Sequence, residues 1–554
     1  MGTQETITRV ESFQTDPSRY RHYHLSIDGA VATLALDVQE ENGLRQGDYL
    51  LKQNSYDLGV DIELADAVRR LRFEHPEVRT VVVTSAQPRV FCAGANIIML
   101  ASSTHGFKVN FCKFTNETRL TLEEASENSG LRTIAALNGT AAGGGYELAL
   151  ACQEILLIDD GSSVVSLPEV PLLGVLPGTG GLTRLVDKRQ VRRDVADLFC
   201  TKAEGFRARD AKRHFLIDGS FPKSRWEAGV AAIAAERAAE SPARAEAGIS
   251  LADVAVEVSE DGLVRTYRSV SVSIDPEQRV AHLTMAAPDA PAPADAAALR
   301  AEGCDTWAIR AWRELDDALL HLRFNHPTIG LVLLRTSGDP EAVKAHDAVI
   351  LDNEGDWLVD EVRWLQARVL RRLDNTSRSV FAIIDQGTCF VGSLLELALA
   401  ADRSYMLEDD DGEVTIEVTG ASAGSFPTWL GGPRLGERFR RTPELAAAAL
   451  AAGEPVDAPT ALEMGLVTLA PDDIDWDDEL RIAIEERVSL SPDALTGMEQ
   501  NLRCVGSEGW PSKVFGRLSA WQNWIFQRPN AVGDDGALTL YGHPTRPQFD
   551  WRRT

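Results

Sequence analysis

Basic residues are scarce in this 554-residue chain: 56 lysines and arginines stand against 83 aspartates and glutamates, a formal net charge of −27. Nucleic acids and anionic membrane surfaces are held by clustered positive charge, so bulk binding to either is disfavoured. A local basic pocket for a small anion is not excluded. Cysteine is equally sparse. Cys92, Cys112, Cys152, Cys200, Cys304, Cys389 and Cys504 are scattered and form no CxxC pair, which argues against a disulfide framework or a zinc ribbon. The ten histidines make neither HExxH nor His-x-x-His, so paired-histidine metal catalysis has no support. There is no Walker A sequence. No run of about 18 apolar residues exists to span a bilayer. The opening residues Met1 to Asp16 lack the basic and apolar stretches of a secretory signal. A reducing cytoplasm is the expected compartment.

The chain repeats itself. Leu71-Arg-Phe-Glu-His-Pro76 recurs as Leu322-Arg-Phe-Asn-His-Pro327, about 250 residues later, a separation that suits two domain-sized copies. Before each copy an apolar stripe runs at i, i+3, i+4 and i+7: Leu64, Ala67, Val68, Leu71, then Leu315, Ala318, Leu319, Leu322. That spacing predicts a helix with one buried face. His-Pro ends each helix, because proline disfavours helix at the residue before it. Apolar β-branched runs follow, at Val81–Val83 and Ile329–Leu334. Further matches keep the same order: Leu25–Asp28 with Val272–Asp275, Ile134–Gly139 with Phe381–Gly387, and Glu147–Leu150 with Glu396–Leu399.

Each copy alternates strands with helices, which predicts α/β architecture. The reading gives a first domain over 1–245 with a helical extension, a second over 246–505, and a Trp-rich segment over 506–554 that packs on the body or on a partner chain. Arg192–Glu240 and Glu444–Val488 read as alanine-rich helical extensions. Ser241–Gly248 reads as the linker, and the proline- and alanine-rich stretch Ala286–Ala298 as a loop within the second copy.

Several motifs weaken on inspection. Gly420-Ala-Ser422-Ala-Gly424 matches GxSxG, but Pro427 does not suit the helix that a nucleophile elbow must enter. Gly178-Thr-Gly180-Gly181 reads as a turn before it reads as a phosphate cradle. Three segments of the first copy gain from one another. Val90-Phe-Cys-Ala-Gly-Ala-Asn96 follows a strand, and Asn138-Gly-Thr-Ala-Ala-Gly143-Gly144-Gly145-Tyr-Glu147 runs from strand into helix. Each alone is a small-residue turn; together they can aim two backbone N–H groups at one oxygen, an oxyanion hole. The third, Pro168-Glu169 through Gly181, carries a second carboxylate in apolar surroundings. Glu147 and Glu169 read equally well as a catalytic acid–base pair or as helix-end caps.

The three segments FCAGAN at 91–96, NGTAAGGGYELAL at 138–150 and PEVPLLGVLPGTGG at 168–181 resemble the crotonase (enoyl-CoA hydratase/isomerase) superfamily in order and spacing. The resemblance implies tandem ββα spiral folds, each with a helical extension. It implies an acyl-CoA substrate whose thioester carbonyl is held by the backbone amides of Ala93 and Gly144. Ala95 and Gly143 would line the substrate, and Lys52 and Arg89 would meet the CoA. Glu147 and Glu169 fall on the acid and base positions, and Cys112 in the stretch that roofs the acyl pocket, as a further catalytic residue. The fused pair further resembles ring-cleaving lyases of the superfamily, which implies 2,3-epoxybenzoyl-CoA and two waters as substrates. The products would be 3,4-didehydroadipyl-CoA semialdehyde and formate. An ordinary enoyl-CoA hydratase or isomerase, or an acyl-CoA-binding scaffold, are the other readings. No cofactor and no metal are expected; nor are nucleic acid or membrane partners. A homo-oligomer is expected, a dimer foremost.

The second copy keeps the frame and loses the chemistry. Val343–Ala348 stands where the first copy has FCAGAN, Gly392-Ser-Leu-Leu395 replaces the triple glycine, and Thr419 stands near the place of Glu169, while Glu396 remains. This copy is expected to be structural.

Overall fold

The computed structural model, which describes residues 9–506 and 508–554, divides the chain after Asp253 into two units. The leader reading rests in part on residues 1–8, which lie outside the described residues. No described helix is long and apolar enough to cross a membrane.

In the first unit β1 (Tyr23–Asp28) and β2 (Val31–Leu36) form an antiparallel hairpin, turned by Gly29 at φ +56°. Helix α1 (Leu58–Phe73) starts where the Asp57 carboxylate accepts the Gly59 and Val60 N–H groups, an N-cap that satisfies two otherwise orphaned donors. It stops short of His75-Pro76, as expected. Then follow β3 (Thr80–Ser85), β4 (Arg89–Cys92), α2 (Ile97–Ser102), α3 (His105–Asn128), β5 (Arg132–Leu137), β6 (Gly139–Ala142), α4 (Gly144–Ala151), β7 (Glu154–Asp159), β8 (Val164–Ser166) and α5 (Glu169–Leu173).

Two sheets grow in parallel from this order. The larger runs β1-β2-β3-β5-β7 and is closed by Gly219–Pro222; the smaller runs β4-β6-β8 and is closed by Phe206–Arg207. After the β1–β2 hairpin, which lies wholly in the larger sheet, each turn of the chain gives one strand to each sheet and then a helix, which is the ββα spiral. The central strand β3 is buried along nearly its whole length, as a parallel strand covered on both faces must be. Val82, Ile134, Ala136 and Leu156 pack against Ala234 of the helix Trp226–Ala239. Burying each large apolar side chain of this kind contributes about 1.5–3 kcal/mol.

Two expectations need correction here. The span Arg192–Glu240 is not uniformly helical: the helices Arg193–Thr201, Ala208–Arg213 and Trp226–Ala239 are separated by the two short closing strands. Ser241–Gly248 is no free linker. The Arg244 guanidinium donates to the carbonyls of Leu71, Arg72 and His75, and Ile249 N–H donates to Phe73 O. The segment caps the C-terminal end of α1.

The second unit repeats the frame: a hairpin of Val270–Asp275 and Val280–Ala286, the helix Trp307–Asn325, and the parallel strands Leu331–Ser337, Ser379–Ile384 and Arg403–Met406. An extra hairpin, Glu257–Val258 with Val264–Thr266, widens its sheet to seven strands. The expected loop Ala286–Ala298 is irregular only as far as Asp295, which caps the helix Ala296–Glu302. Ser422 of the GxSxG match lies buried in a short 3₁₀ turn, not at a strand-to-helix elbow. In the Trp-rich segment the Arg279 guanidinium lies 4.0 Å from the Trp551 ring centre, and Arg553 donates to Ser377 O and Gly330 O. Trp510 is 86% exposed, so that aromatic does not pack on its own chain.

Candidate active site

Glycine lets the two small-residue loops of the first unit meet. A Cβ on Gly145 would lie 2.3 Å from the Cys92 carbonyl oxygen, and one on Gly94 2.8 Å from the Gly144 nitrogen. Gly143 also adopts φ +53°, a left-handed conformation that suits glycine. The loop after β4 therefore lies against the first turn of α4.

Among the described residues, neither the Ala95 nor the Gly144 N–H finds an acceptor. Gly144 opens α4, where the helix leaves its first amides unpaired and carries positive potential. The Ala93 assignment needs correction. Its N–H donates to Gln53 O at 3.1 Å, so it has no proton left for a ligand. Ala95, two residues on, supplies the open amide of this loop. Its flanks are fixed, because Tyr56 N–H donates to Gly94 O and Asn96 N–H to Tyr56 O.

Glu147, in the first turn of α4, is 2% exposed. Its Oε1 accepts the N–H groups of Thr179 (2.9 Å) and Gly181 (2.8 Å). Burial raises it above the ordinary carboxylate range, against the lowering pull of those two amides. The turn Gly178–Gly181 thus holds a carboxylate, not a phosphate. Glu169 opens α5, and its Oε1 lies 2.7 Å from where a Cβ of Gly143 would be. Its Oε2 is buried without a partner among the described residues. Burial first, and then the charge of Glu147, push it up to about 7. The charge of Glu147 thus disfavours a second negative charge on Glu169.

Cys112 on α3 lies beside this pair: its Sγ is 3.7 Å from where a Cβ of Gly178 would be. Burial and the charge of Glu147 push the thiol up to about 11, so it is a neutral thiol at physiological pH and not a resting thiolate. Lys52 is exposed next to Gln53, at the edge of the donor loop. Arg89 stands exposed at the start of β4, paired with Gly139, at the end of the strand away from Ala95, and is not brought to the donor pair. Tyr56 escaped the sequence reading. It is buried, its hydroxyl lies 2.1 Å from where a Cβ of Gly144 would be, and no local motif marks it.

The equivalent place in the second unit is closed. Gly392, at φ +53°, opens the helix Gly392–Ala400 as Gly143 precedes α4. Ser393 and Leu394 therefore match Gly144 and Gly145, and Leu395 matches Tyr146, so one of the three glycines is replaced by leucine and one by serine. Val343–Ala348 form no loop but part of the helix Pro340–Asp352. From it Asp347 Oδ2 accepts the Ser393 N–H at 2.7 Å. Thr419 Oγ1 lies 3.4 Å from where a Cβ of Gly392 would be, in the place that Glu169 takes beside Gly143.

The first unit thus joins a spiral of ββα units with two open amides and two buried carboxyls, an arrangement that can hold a thioester oxygen beside an acid and a base. The family described as enoyl-CoA hydratase/isomerase matches residues 51–261. Over 550 residues, 99% of this chain and 98% of the relative, the sequence is 52% identical to a benzoyl-CoA-dihydrodiol lyase of Aromatoleum evansii. The chain belongs to the enoyl-CoA hydratase/isomerase (crotonase) superfamily, and within it groups with that lyase. Among solved structures, an enoyl-CoA hydratase of Geobacillus kaustophilus is 31% identical, matching 40% of this chain and 75% of its own, with a TM-score of 0.35. An enoyl-CoA hydratase of Thermobifida fusca in complex with CoA is 26% identical, matching 40% and 80%, with a TM-score of 0.33.

Proposed function

We propose that the first unit cleaves the ring of 2,3-epoxybenzoyl-CoA, consuming two waters and releasing 3,4-didehydroadipyl-CoA semialdehyde and formate. The conversion balances in carbon, hydrogen and oxygen without an external oxidant or reductant, so the chemistry asks for proton transfer and charge stabilisation alone. The Ala95 and Gly144 amides would hold the thioester oxygen as negative charge delocalises onto it; one such donor is typically worth about 3–4 kcal/mol in the transition state.

The observation that carries the reading is the unequal pair of carboxyls. Glu147 has two backbone donors that favour its ionised form, which suits a base that activates water. Glu169 is raised to about 7 with one oxygen unpartnered, which suits an acid that protonates an oxygen or carbon of the opening ring. Cys112 lies near as a neutral hydrogen-bond donor that would steer substrate or water. Lys52, exposed at the edge of the donor loop, would meet the CoA.

We further read the enzyme as cytoplasmic and homodimeric. Seven unpaired cysteines suit a reducing compartment, and exposed Leu172, Val175 and Leu176 beside the site suit a partner surface. The test is incubation with 2,3-epoxybenzoyl-CoA and an assay for formate, with crotonyl-CoA in parallel. Formate in one-to-one ratio with the ring-opened thioester supports the reading. Hydration of crotonyl-CoA at a comparable rate, without formate from the epoxide, would replace it by a hydratase.

A further inference from the structure

Beside the open Gly144 amide the first unit buries a phenol that has no hydrogen-bond partner. Tyr56 is 3% exposed, and its hydroxyl meets no donor or acceptor among the described residues. Leaving a buried hydroxyl unpaired costs stability, a cost that phenylalanine at the same place would avoid. The hydroxyl is aimed at the start of α4, 2.1 Å from where a Cβ of Gly144 would be.

The ring is held on several sides. Tyr56 N–H donates to Gly94 O and Tyr56 O accepts from Asn96 N–H, which tie its backbone to both sides of Ala95. The Phe111 ring centre is 6.0 Å away. The Arg119 guanidinium lies 5.3 Å from the Tyr56 ring centre and is itself ion-paired with buried Asp61. A cation on the face of an aromatic ring draws on its π electrons, which makes a phenol a stronger donor. Burial keeps this phenol protonated.

We propose that the Tyr56 hydroxyl is a third hydrogen-bond donor to the thioester oxygen, acting with the Ala95 and Gly144 amides and sharpened by Arg119 behind its ring. The inference rests on the acyl-CoA reading of the site. It gives the unpaired hydroxyl its partner, and it explains why the glycine at 144 faces a phenol.

The experiment uses benzoyl-CoA labelled with ¹³C at the thioester carbonyl, an unreactive probe, bound to the full chain and read by isotope-edited infrared difference spectroscopy. In the wild-type protein the carbonyl band is expected below that of free benzoyl-CoA. In Tyr56→Phe it should move back toward the free value, with kcat on the epoxide lowered about tenfold or more and KM changed far less. Replacement of Tyr56 by 3-fluorotyrosine, a stronger donor of nearly the same size, should move the band further down. It decides the matter even where Tyr56→Phe fails to fold. A carbonyl band indifferent to both replacements would overturn the proposal and leave the phenol a packing residue. Failure of the wild-type protein to bind benzoyl-CoA would instead strike the acyl-CoA reading itself.

Discussion

Asp347 Oδ2 accepts the Ser393 N–H at 2.7 Å, so the second unit fills with its own carboxylate the place where the first unit leaves the Gly144 amide open. The amide that would hold a thioester oxygen is already spent. The loop that would bring a second amide has become the helix Pro340–Asp352, and threonine stands in place of the second glutamate. Titrating CoA product into the protein should therefore give one site per chain, and Glu396→Gln should leave turnover within about threefold, since a group remote from the chemistry contributes little to it. Two equivalent sites per chain, or turnover lost in a well-folded Glu396→Gln protein, would show a live second unit.

That closed site also carries a stability signature. Burial pushes Asp347 and Glu396 each up to about 7. A carboxyl whose folded pKa exceeds its unfolded value contributes most stability below the unfolded value, near 4, and loses it as pH rises through the folded one. The unfolding free energy due to these two groups should fall between about pH 4 and 8. Glu396→Gln removes the ionisation and should raise stability at pH 8 by up to about 3 kcal/mol while changing little at pH 4. Chemical denaturation at both pH values checks this; equal effects at the two would refute the linkage.

In the first unit, Glu147→Gln and Glu169→Gln should each lower turnover by about 10²–10⁴-fold, the usual worth of a general acid or base. Affinity for the CoA product should change far less, because contacts with the CoA portion are untouched. Near wild-type turnover in either variant removes that residue from the mechanism.

With Glu169 raised to about 7 and used as an acid, kcat/KM should fall with a one-proton slope as pH rises past about 7. A rate that instead climbs through pH 7 would assign Glu169 the base's role. The two carboxyls interact, so the profile reports the pair.

Much of this was legible in the sequence because it is local or periodic. The stripe Leu315, Ala318, Leu319, Leu322 is a buried helix face, and the repeat gave both frames. What was missed depends on contacts across the chain. Ala93 and Ala95 look alike in FCAGAN; only the bond from Ala93 N–H to Gln53 O, forty residues back, separates them. Tyr56 belongs to no motif, and its meaning lies in a burial that periodicity does not report. Alignment with FCAGAN hides that Asp347 is helical, although Asp339-Pro340 is a helix-start pair, an N-cap followed by proline in the first turn. Attention to that pair would have found the helix.

Gly181 separates steric from conformational roles of glycine. A Cβ there would lie 2.9 Å from Glu147 Oε1 and 3.0 Å from its Cγ, while the same residue's N–H donates to that oxygen. Its φ is not in the left-handed region, so alanine fits the backbone and only the carboxylate must yield. Gly181→Ala should then displace Glu147 from its two amides and lower kcat by about tenfold or more, since a small misplacement of a catalytic group is costly. Stability should fall by about 1–3 kcal/mol as well, because a buried carboxyl loses its two amide donors. Gly161, at φ +78° with nothing within 4 Å of a Cβ, is the contrast: Gly161→Ala should lose about 1 kcal/mol of stability to backbone strain and keep full turnover. Turnover and thermal unfolding measured on the two variants read the distinction. If Gly181→Ala keeps wild-type kcat, the position of Glu147 is not what the Thr179–Gly181 turn is there to hold.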